Sequence, residues 1–251
     1  MYDGTLAETI RITGHGGDTI NAYFARPLGP GPVPGVVVIH HGPGWDEGSK
    51  EITRRFAVHG YAAICPHLYH RWGPDASPDD AAAAARAAGG VPDEQFLGDA
   101  AGAIAYLRAL TYANGKVGTI GYCSGGRQSF LAACSLPLDA AVDCYGACVV
   151  NPLPPDIPFH LEPCVHLADR LSCPLLGLFG EEDRMPAPAE TAQLAAILEE
   201  HHKTYEFHTY PGAGHSFFAT DRPSYRPEAA NDGWNRVFDW FGRYLSSQVS
   251  S

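Results

Sequence analysis

Short apolar runs that alternate with longer helical segments are the feature that most constrains the fold of this chain. Five runs are continuously apolar, which is typical of parallel strands buried on both faces. They are Gly35–Ile39, Ala62–Ile64, Lys116–Ile120, Ala140–Val142 and Leu175–Phe179, and a further strand is expected over 203–209. Segments with helical spacing lie between or after them, at Ser49–His59, Asp93–Leu110, Ser124–Ser135, Pro188–His201 and Trp234–Leu245. The alternation predicts the α/β class, with a mostly parallel sheet and helices on both faces.

The N-terminal segment follows a different pattern. Glu8–Thr13 and Thr19–Ala25 alternate between apolar and polar residues and flank the Gly-rich stretch Gly14–Asp18, which predicts an antiparallel hairpin at the start of the sheet. Two longer stretches, Pro66–Val91 and Asn151–Pro163, fit neither a simple connection nor the alternation. Irregular stretches of this kind, which we call excursions, commonly line the pocket at the carboxyl ends of the strands.

Length, charge and cysteine content limit the class of protein. The 251 residues suit one large domain, 1–251. The formal charge of -11 repels phosphate backbones and anionic lipids, so neither nucleic acid nor a membrane is expected as a partner. The N-terminus lacks a signal-peptide pattern and no run approaches the roughly 18 apolar residues of a spanning helix, which favours a cytoplasmic location. The seven cysteines lack paired Cys-x-x-Cys spacing and are expected to be reduced thiols.

A nucleophile motif follows the strand that ends at Ile120. The sequence Gly-Tyr-Cys-Ser-Gly over 121–125 stands between a predicted strand and a predicted helix, which is the setting of a nucleophile elbow. The two glycines are required because the sharp turn leaves no room for Cβ atoms. The helix that begins at Ser124 directs its amino terminus at Cys123 and favours the thiolate. Taken alone, the motif is equally consistent with a buried structural cysteine.

The partners that a thiol nucleophile needs occur downstream in the expected order. Elbow enzymes place an acid and then a histidine after the nucleophile. Asp183 follows the strand that ends at Phe179, where Glu181 and Glu182 compete for the role of the acid. His215 lies on a Gly-rich loop after the predicted strand 203–209. We therefore predict a catalytic triad of Cys123, Asp183 and His215.

Two backbone N–H groups are expected to stabilise the oxyanion. One is the N–H of Ser124 at the start of the helix, and the other comes from the loop after the third strand. Pro43 in that loop has no N–H to donate. Gly42 is therefore the predicted second donor.

These residues resemble the dienelactone hydrolase family of the α/β-hydrolase superfamily, over about residues 8–245. The resemblance is carried by motifs distributed along the chain: Asn114–Gly118, Gly121–Gly126, Gly60–Tyr69, the segment that begins at Asp183, Gly212–Phe217, and Ala229–Arg236. It implies an α/β-hydrolase fold with the N-terminal antiparallel hairpin, hydrolysis of a carboxylic ester or lactone through a thioester, and the triad named above. It also implies that no organic or metal cofactor takes part.

The chain departs from the family pattern at two positions. Family members that act on dienelactone carry a Glu after the third strand that pairs with the resting thiol, and His41 occupies that position here. His41 is therefore a possible thiol partner. An Arg that grips the substrate carboxylate is replaced by Ala219, and Arg71, Arg86, Arg222 and Arg226 are the candidates to substitute for it.

Loss of that Arg favours a less charged small-molecule ester or lactone. Aromatic residues near the predicted motifs are candidates to line the substrate pocket: Trp45, Tyr69, Trp72, Tyr122, Tyr145 and Phe217.

Besides a promiscuous esterase of unrelated physiological substrate, two other functions are alternatives. Metal-assisted hydrolysis would need His40, His41 and Asp46, or His67 and His70, but adjacent residues at a strand end point to opposite faces. A non-catalytic small-molecule-binding protein on the same fold is the second alternative, although such proteins normally lose a member of the triad. The sequence leaves both monomer and dimer open.

Overall fold

Eight strands form one sheet in the computed structural model, which describes residues 4–154 and 161–246. The strands are β1 (Thr5–Thr13), β2 (Thr19–Pro27), β3 (Val33–Ile39), β4 (Ala62–Pro66), β5 (Ala113–Tyr122), β6 (Ala140–Cys144), β7 (Leu175–Gly180) and β8 (Tyr205–Tyr210). Their order in the sheet is β1-β2-β4-β3-β5-β6-β7-β8. The pairs from β4 to β8 are parallel, whereas β2 is antiparallel to both β1 and β4. A mostly parallel sheet with an N-terminal hairpin is therefore confirmed.

Helices cover both faces of this sheet. They are α1 (Glu47–Val58), α2 (Pro78–Ala87), α3 (Asp93–Ala109), α4 (Ser124–Ser135), α5 (Pro188–Glu200) and α6 (Pro227–Leu245). Side chains of α1 and α6 share one apolar core, and those of α2 to α5 share the other. In β3, Val37 and Ile39 enter the second of these cores while Val36 and Val38 enter the first. The continuous apolar runs therefore arise because successive side chains of a central strand enter opposite cores.

The structure extends the sequence-based prediction in two helices. The stretch Pro66–Val91 contains α2, which begins where the Ser77 hydroxyl accepts a hydrogen bond from the Asp80 N–H. Helix α6 begins at Pro227 rather than at Trp234. The described parts of the stretch Asn151–Pro163 contain no helix or strand, and residues 155–160 lie outside the described residues. Within the described part of the chain, no helix is both long and apolar enough to cross a membrane.

Candidate active site

The turn between β5 and α4 holds Cys123 in a strained conformation. Its φ and ψ are 58° and -120°, in the left-handed half of the map that a residue with a Cβ rarely adopts. A Cβ on Gly121 would collide with the carbonyl of Gly125, and one on Gly125 would collide with the carbonyl of Ile39. The turn thus has the geometry of a nucleophile elbow, and both glycines are sterically required.

Strained backbone also occurs in two neighbouring loops. Tyr145, directly after β6, has a φ of 44°, and Ser216, directly after His215, has a φ of 64°. Positive φ at residues other than glycine persists only where surrounding contacts enforce it, and it concentrates at functional sites. The loops that follow β5, β6 and β8 therefore carry the strain expected around an active site.

His215 is brought between the thiol and a carboxylate. Its Nδ1 lies 2.9 Å from Asp183 Oδ2, and its side chain is hydrogen-bonded to the Cys123 thiol. The other oxygen of Asp183 accepts a hydrogen bond of 2.9 Å from the Met185 N–H, which fixes the carboxylate. Asp183 is buried, whereas Glu181 and Glu182 are exposed. Of the three loop acids, Asp183 is the one in contact with His215.

The pKa values of this pair favour a thiolate facing an imidazolium. Burial would raise the pKa of the Cys123 thiol, but the hydrogen bond and charge of His215 and the N–H groups of Ser124 and Gly42 bring it below its ordinary value. Burial would lower the pKa of His215, but its bonds to Asp183 and Cys123 raise it to about 10. Both shifts therefore act in the same direction, toward a thiolate paired with an imidazolium.

The same two N–H groups are the predicted oxyanion donors. Those of Gly42 and Ser124 both reach the sulfur of Cys123, so a carbonyl carbon bonded to that sulfur would present its oxygen close to them. The Tyr69 hydroxyl donates a hydrogen bond of 3.0 Å to the Gly42 carbonyl. This bond fixes the carbonyl of the residue whose N–H reaches the sulfur.

His41 is paired with the carboxylate of Asp46, which lies in the same loop between β3 and α1. Its Nε2 lies 2.6 Å from Asp46 Oδ2, while Asp46 Oδ1 accepts hydrogen bonds of 2.9 Å from the N–H and the hydroxyl of Ser49 at the start of α1. The contacts that the sulfur of Cys123 makes are with His215, Ser124 and Gly42. Asp46 takes up the Nε2 of His41, so a pairing of His41 with the resting thiol, which would use Nδ1, stays a prediction.

Two clefts flank this site. The first, which we name the α1–α6 cleft, has a volume of about 560 Å³ including its open mouth and is lined mainly by α1, by the strand ends of β3 and β5, and by residues 218–221. Its lining includes His41, Tyr122, Tyr145, Phe218, Ala219 and Trp234. The second, the α4 cleft, has a volume of about 410 Å³ and includes Tyr69, Val91, Ser124, Gln128 and Leu161. Parts of both sequence excursions therefore do border a cleft beside the nucleophile.

The predicted pocket residues divide between these clefts and the interior. Tyr122 and Tyr145 line the α1–α6 cleft and Tyr69 lines the α4 cleft. Trp72 packs edge-on against Tyr69. The two other residues lie elsewhere: the ring of Trp45 stacks on His67 at 4.8 Å, and Phe217 is fully buried against Tyr145. At Phe217 the structure differs from the prediction, because its neighbour Phe218 is the residue that lines the cleft.

The four candidate arginines have different surroundings. Arg71 forms a bidentate ion pair of 2.9 and 3.0 Å with Asp99, whose side chain is fully buried, and Arg226 donates to backbone carbonyls. Both therefore have structural roles. Arg86 and Arg222 act electrostatically on two tyrosines of the clefts: burial raises the pKa of Tyr69 and Tyr145, and the two arginine charges partly oppose that rise.

The histidines named for a metal-assisted mechanism make contacts within the protein. His40 is buried, its Nε2 accepts the Leu68 N–H at 3.3 Å, and its Nδ1 lies 2.9 Å from the His41 carbonyl. Burial lowers the pKa of His40 to about 3, so the ring is neutral. Across the described ranges, no group of three or more His, Cys, Asp or Glu residues has the arrangement of a metal site.

Comparison with known proteins shows that the chain is similar to hydrolases. The family model described as "Dienelactone hydrolase family" matches residues 20–245. A protein of Methylorubrum extorquens provisionally named carboxymethylenebutenolidase is 35% identical over 247 residues, which cover 96% of this chain and 82% of that protein. A protein of Escherichia coli K12 with the same provisional name is 35% identical over 238 residues, which cover 91% and 84% of the two chains.

Solved structures agree with the sequence matches. A provisionally named dienelactone hydrolase from Klebsiella pneumoniae superposes with a TM-score of 0.84 at 33% identity and covers 96% of this chain and 100% of its own. The structure of P91, titled a dienelactone hydrolase-like promiscuous phosphotriesterase from metagenomic libraries, superposes with a TM-score of 0.79 at 23% identity. At that identity it supports the fold alone, which both neighbours share with this chain over 96% of its length.

Proposed function

Because the chain belongs to the dienelactone hydrolase family and is a hydrolase of that type, we propose that it cleaves a carboxylic ester or lactone of a small molecule with Cys123 as the nucleophile. The observation that carries the proposal is the position of the Cys123 sulfur, which contacts His215 and the N–H groups of Gly42 and Ser124. These are the base and the two oxyanion donors that acyl transfer to a thiol requires.

In the first step, the thiolate attacks the carbonyl carbon and forms a tetrahedral oxyanion. The N–H groups of Gly42 and Ser124 stabilise this negative charge in a site from which water is largely excluded. As the intermediate collapses, the carbon–oxygen bond breaks and His215 gives its proton to the leaving oxygen. The acyl group remains on Cys123 as a thioester.

In the second step, water attacks the thioester and releases the acid. With an open-chain ester the alcohol has left, and water can take its place beside His215, which is now neutral and able to accept a proton. Asp183 keeps the imidazole in the required tautomer through its bond of 2.9 Å to Nδ1. The carbon–sulfur bond then breaks, and the thiolate and imidazolium are restored.

The lining of the clefts supports an uncharged substrate. Ala219 borders the α1–α6 cleft where the family pattern has an Arg, and its neighbours there include the rings of Tyr145 and Phe218. The aromatic part of this lining favours apolar acyl or alcohol groups, although the cleft is also lined by the charged residues Glu51, Arg55 and Asp221. We therefore expect uncharged aryl esters and lactones to be hydrolysed at least as well as dienelactone, and a clear preference for dienelactone would contradict this part of the proposal.

The nucleophile is tested by Cys123→Ala. We expect this variant to lose turnover of phenyl propionate while keeping the thermal unfolding transition of the wild-type protein. Cys134→Ala, at a buried position in α4, is the matched control and should remain active. Full turnover by pure Cys123→Ala would refute the proposal.

Covalent labelling separates catalysis from mere binding. Burial raises the pKa of the other six thiols, Cys65, Cys134, Cys144, Cys148, Cys164 and Cys173, so iodoacetamide at neutral pH should modify Cys123 first. Peptide mapping by mass spectrometry would identify the labelled residue.

A non-catalytic binding protein would carry no acyl group on Cys123 after incubation with an activated ester.

A further inference from the structure

The sheet order places the nucleophile between two histidine–carboxylate pairs. Cys123 follows β5, and its neighbour β3 is followed by His41, which is paired with Asp46. On the other side lie β6, β7 and β8. Asp183 follows β7 and His215 follows β8, and the two side chains are paired. The proposed function uses one of these pairs and leaves the other without a role.

We infer that His41, oriented by Asp46, is a second general base that activates the water for thioester hydrolysis when the substrate is a lactone. The inference rests on the proposed function, since it requires an acyl group on Cys123. It extends that function by assigning a catalytic residue on the opposite side of the thiol from His215 and by naming cyclic esters as the substrates that need it.

The hydrogen bonds of Asp46 determine what His41 can do. Asp46 is ionised, because the bonds from His41 and Ser49 lower its pKa more than burial raises it. Its Oδ2 accepts a hydrogen bond of 2.6 Å from the N–H of His41 Nε2, so in the neutral ring Nδ1 is the unprotonated nitrogen. This is the arrangement in which a carboxylate prepares an imidazole to act as a base.

His41 also lies where such a base is needed. It lines the α1–α6 cleft, and its side chain keeps 16% of its accessible surface. The residue that follows it, Gly42, donates its N–H to the sulfur of Cys123. The cleft that His41 borders is also lined by Ser49 and by Tyr145, whose ring packs against His215 at 5.1 Å, so it offers polar groups for an ordered water beside the site.

Lactones create the need for a second base. In an open-chain ester the alcohol diffuses away after acylation, and water replaces it beside His215. In a lactone the freed hydroxyl stays attached to the acyl group and remains beside His215, where its effective concentration is on the order of 10⁵–10⁸ M. Ring closure then competes with hydrolysis unless water attacks from another side.

The step balances as follows. A water proton passes to His41 Nδ1, the oxygen bonds to the acyl carbon, and the tetrahedral oxyanion collapses with loss of the Cys123 thiolate and release of the hydroxy acid. His41 then gives its proton to solvent. His215, which gave its proton to the leaving oxygen during acylation, takes one from solvent and restores the ion pair.

Dihydrocoumarin and phenyl propionate form a matched pair of probes, because both release a phenol from a saturated acyl chain and only the first is cyclic. We expect His41→Gln to lower kcat for dihydrocoumarin by about 10²-fold and to change kcat for phenyl propionate by less than about threefold. His208→Gln is the control, since Glu206 lies 2.6 Å from His208 on β8 and neither residue belongs to the site.

Asp46→Asn provides a second variant that should fold, because Asn is also a good helix N-cap and can keep the bond from the Ser49 N–H. Its amide would donate to His41 Nε2, move the ring proton to Nδ1 and remove the base, so the same selective loss on the lactone is expected. An equal loss on both substrates, or no loss on either, would overturn the inference. So would failure of the wild-type protein to open dihydrocoumarin, whereas turnover by Cys123→Ala would refute the proposed function itself.

Discussion

Replacement of Asp183 by Asn tests how the thiolate of Cys123 is maintained. Asp183 Oδ1 accepts the Met185 N–H and Oδ2 accepts from His215 Nδ1. An Asn at this position would keep its carbonyl on the Met185 N–H and present its NH₂ to His215. Nδ1 must then accept that bond, which moves the ring proton to the nitrogen facing the sulfur and removes the carboxylate that stabilises the imidazolium.

The size of the effect follows from the lost charge. In the wild-type protein the thiol pKa lies below its ordinary value and that of His215 is raised to about 10. In the variant we expect the thiol pKa to rise toward its ordinary value, so that less of the thiol is ionised at neutral pH. The smaller thiolate fraction and the poorer proton transfer by the misoriented His215 lower the rate together. We expect kcat/KM to fall by about 10²–10³-fold.

The assay is the pH dependence of two rates, iodoacetamide alkylation of Cys123 and hydrolysis of phenyl propionate. The wild-type alkylation rate should already be high below pH 7, because a lowered pKa leaves thiolate present as the pH falls. The Asp183→Asn curve should move to higher pH, and part of the lost rate should return above pH 8. Glu182→Gln, one residue away and exposed, is the matched control. Identical alkylation profiles for wild type and Asp183→Asn would refute the reasoning.

Three further substitutions test single contacts of the site and the fold. Gly125→Ala should destabilise the protein by about 1–3 kcal/mol and abolish turnover, because its Cβ has no room in the elbow; thermal unfolding and kcat on the same sample would check this, and an active variant would contradict it. Tyr69→Phe removes the bond to the Gly42 carbonyl and should lower kcat by about tenfold with little change in KM; a change in KM alone would indicate a substrate contact instead. Arg71→Gln leaves Asp99 buried without its charge partner and should cost about 3 kcal/mol in urea unfolding, with kcat/KM per folded molecule unchanged if Arg71 does not bind substrate.

Periodicity was enough to predict most of the fold. The strands from β3 to β7 were found because most of their residues are buried on both faces and are apolar. Helix α2 was not predicted because it breaks the alternation of strands and helices: α3 follows it with no strand between them. Its start is nevertheless marked, since Ser77 is a good N-cap and Pro78 suits the first turn. Helix α6 was predicted to begin too late because the polar residues before Trp234 hide its buried Ala229 and Ala230.

Local motifs predicted the candidate catalytic residues better than they predicted the residues around them. Cys123 and His215 stand in loops with a fixed relation to a strand end, so the sheet brings them together. Which of two adjacent side chains faces a cleft depends on the loop backbone: a φ of 64° at Ser216 turns the chain so that Phe218, and not Phe217, reaches the cleft. The pairing of His41 with Asp46 could not be predicted from the sequence either, because a spacing of five residues across a loop has no periodic signature.

The strain at Cys123 links the fold to the chemistry. A φ of 58° costs on the order of 1–3 kcal/mol and persists because the peptide is held from both sides: the Cys123 N–H donates to the Cys144 carbonyl at 3.1 Å, and the Cys123 carbonyl accepts from Gly126 at 2.9 Å. A relaxed, extended residue here would continue β5 and place the thiol in one of the two apolar cores. There burial would raise its pKa, as it does for Cys144 at the end of β6. The turn therefore keeps the Cys123 sulfur out of these cores and within reach of His215.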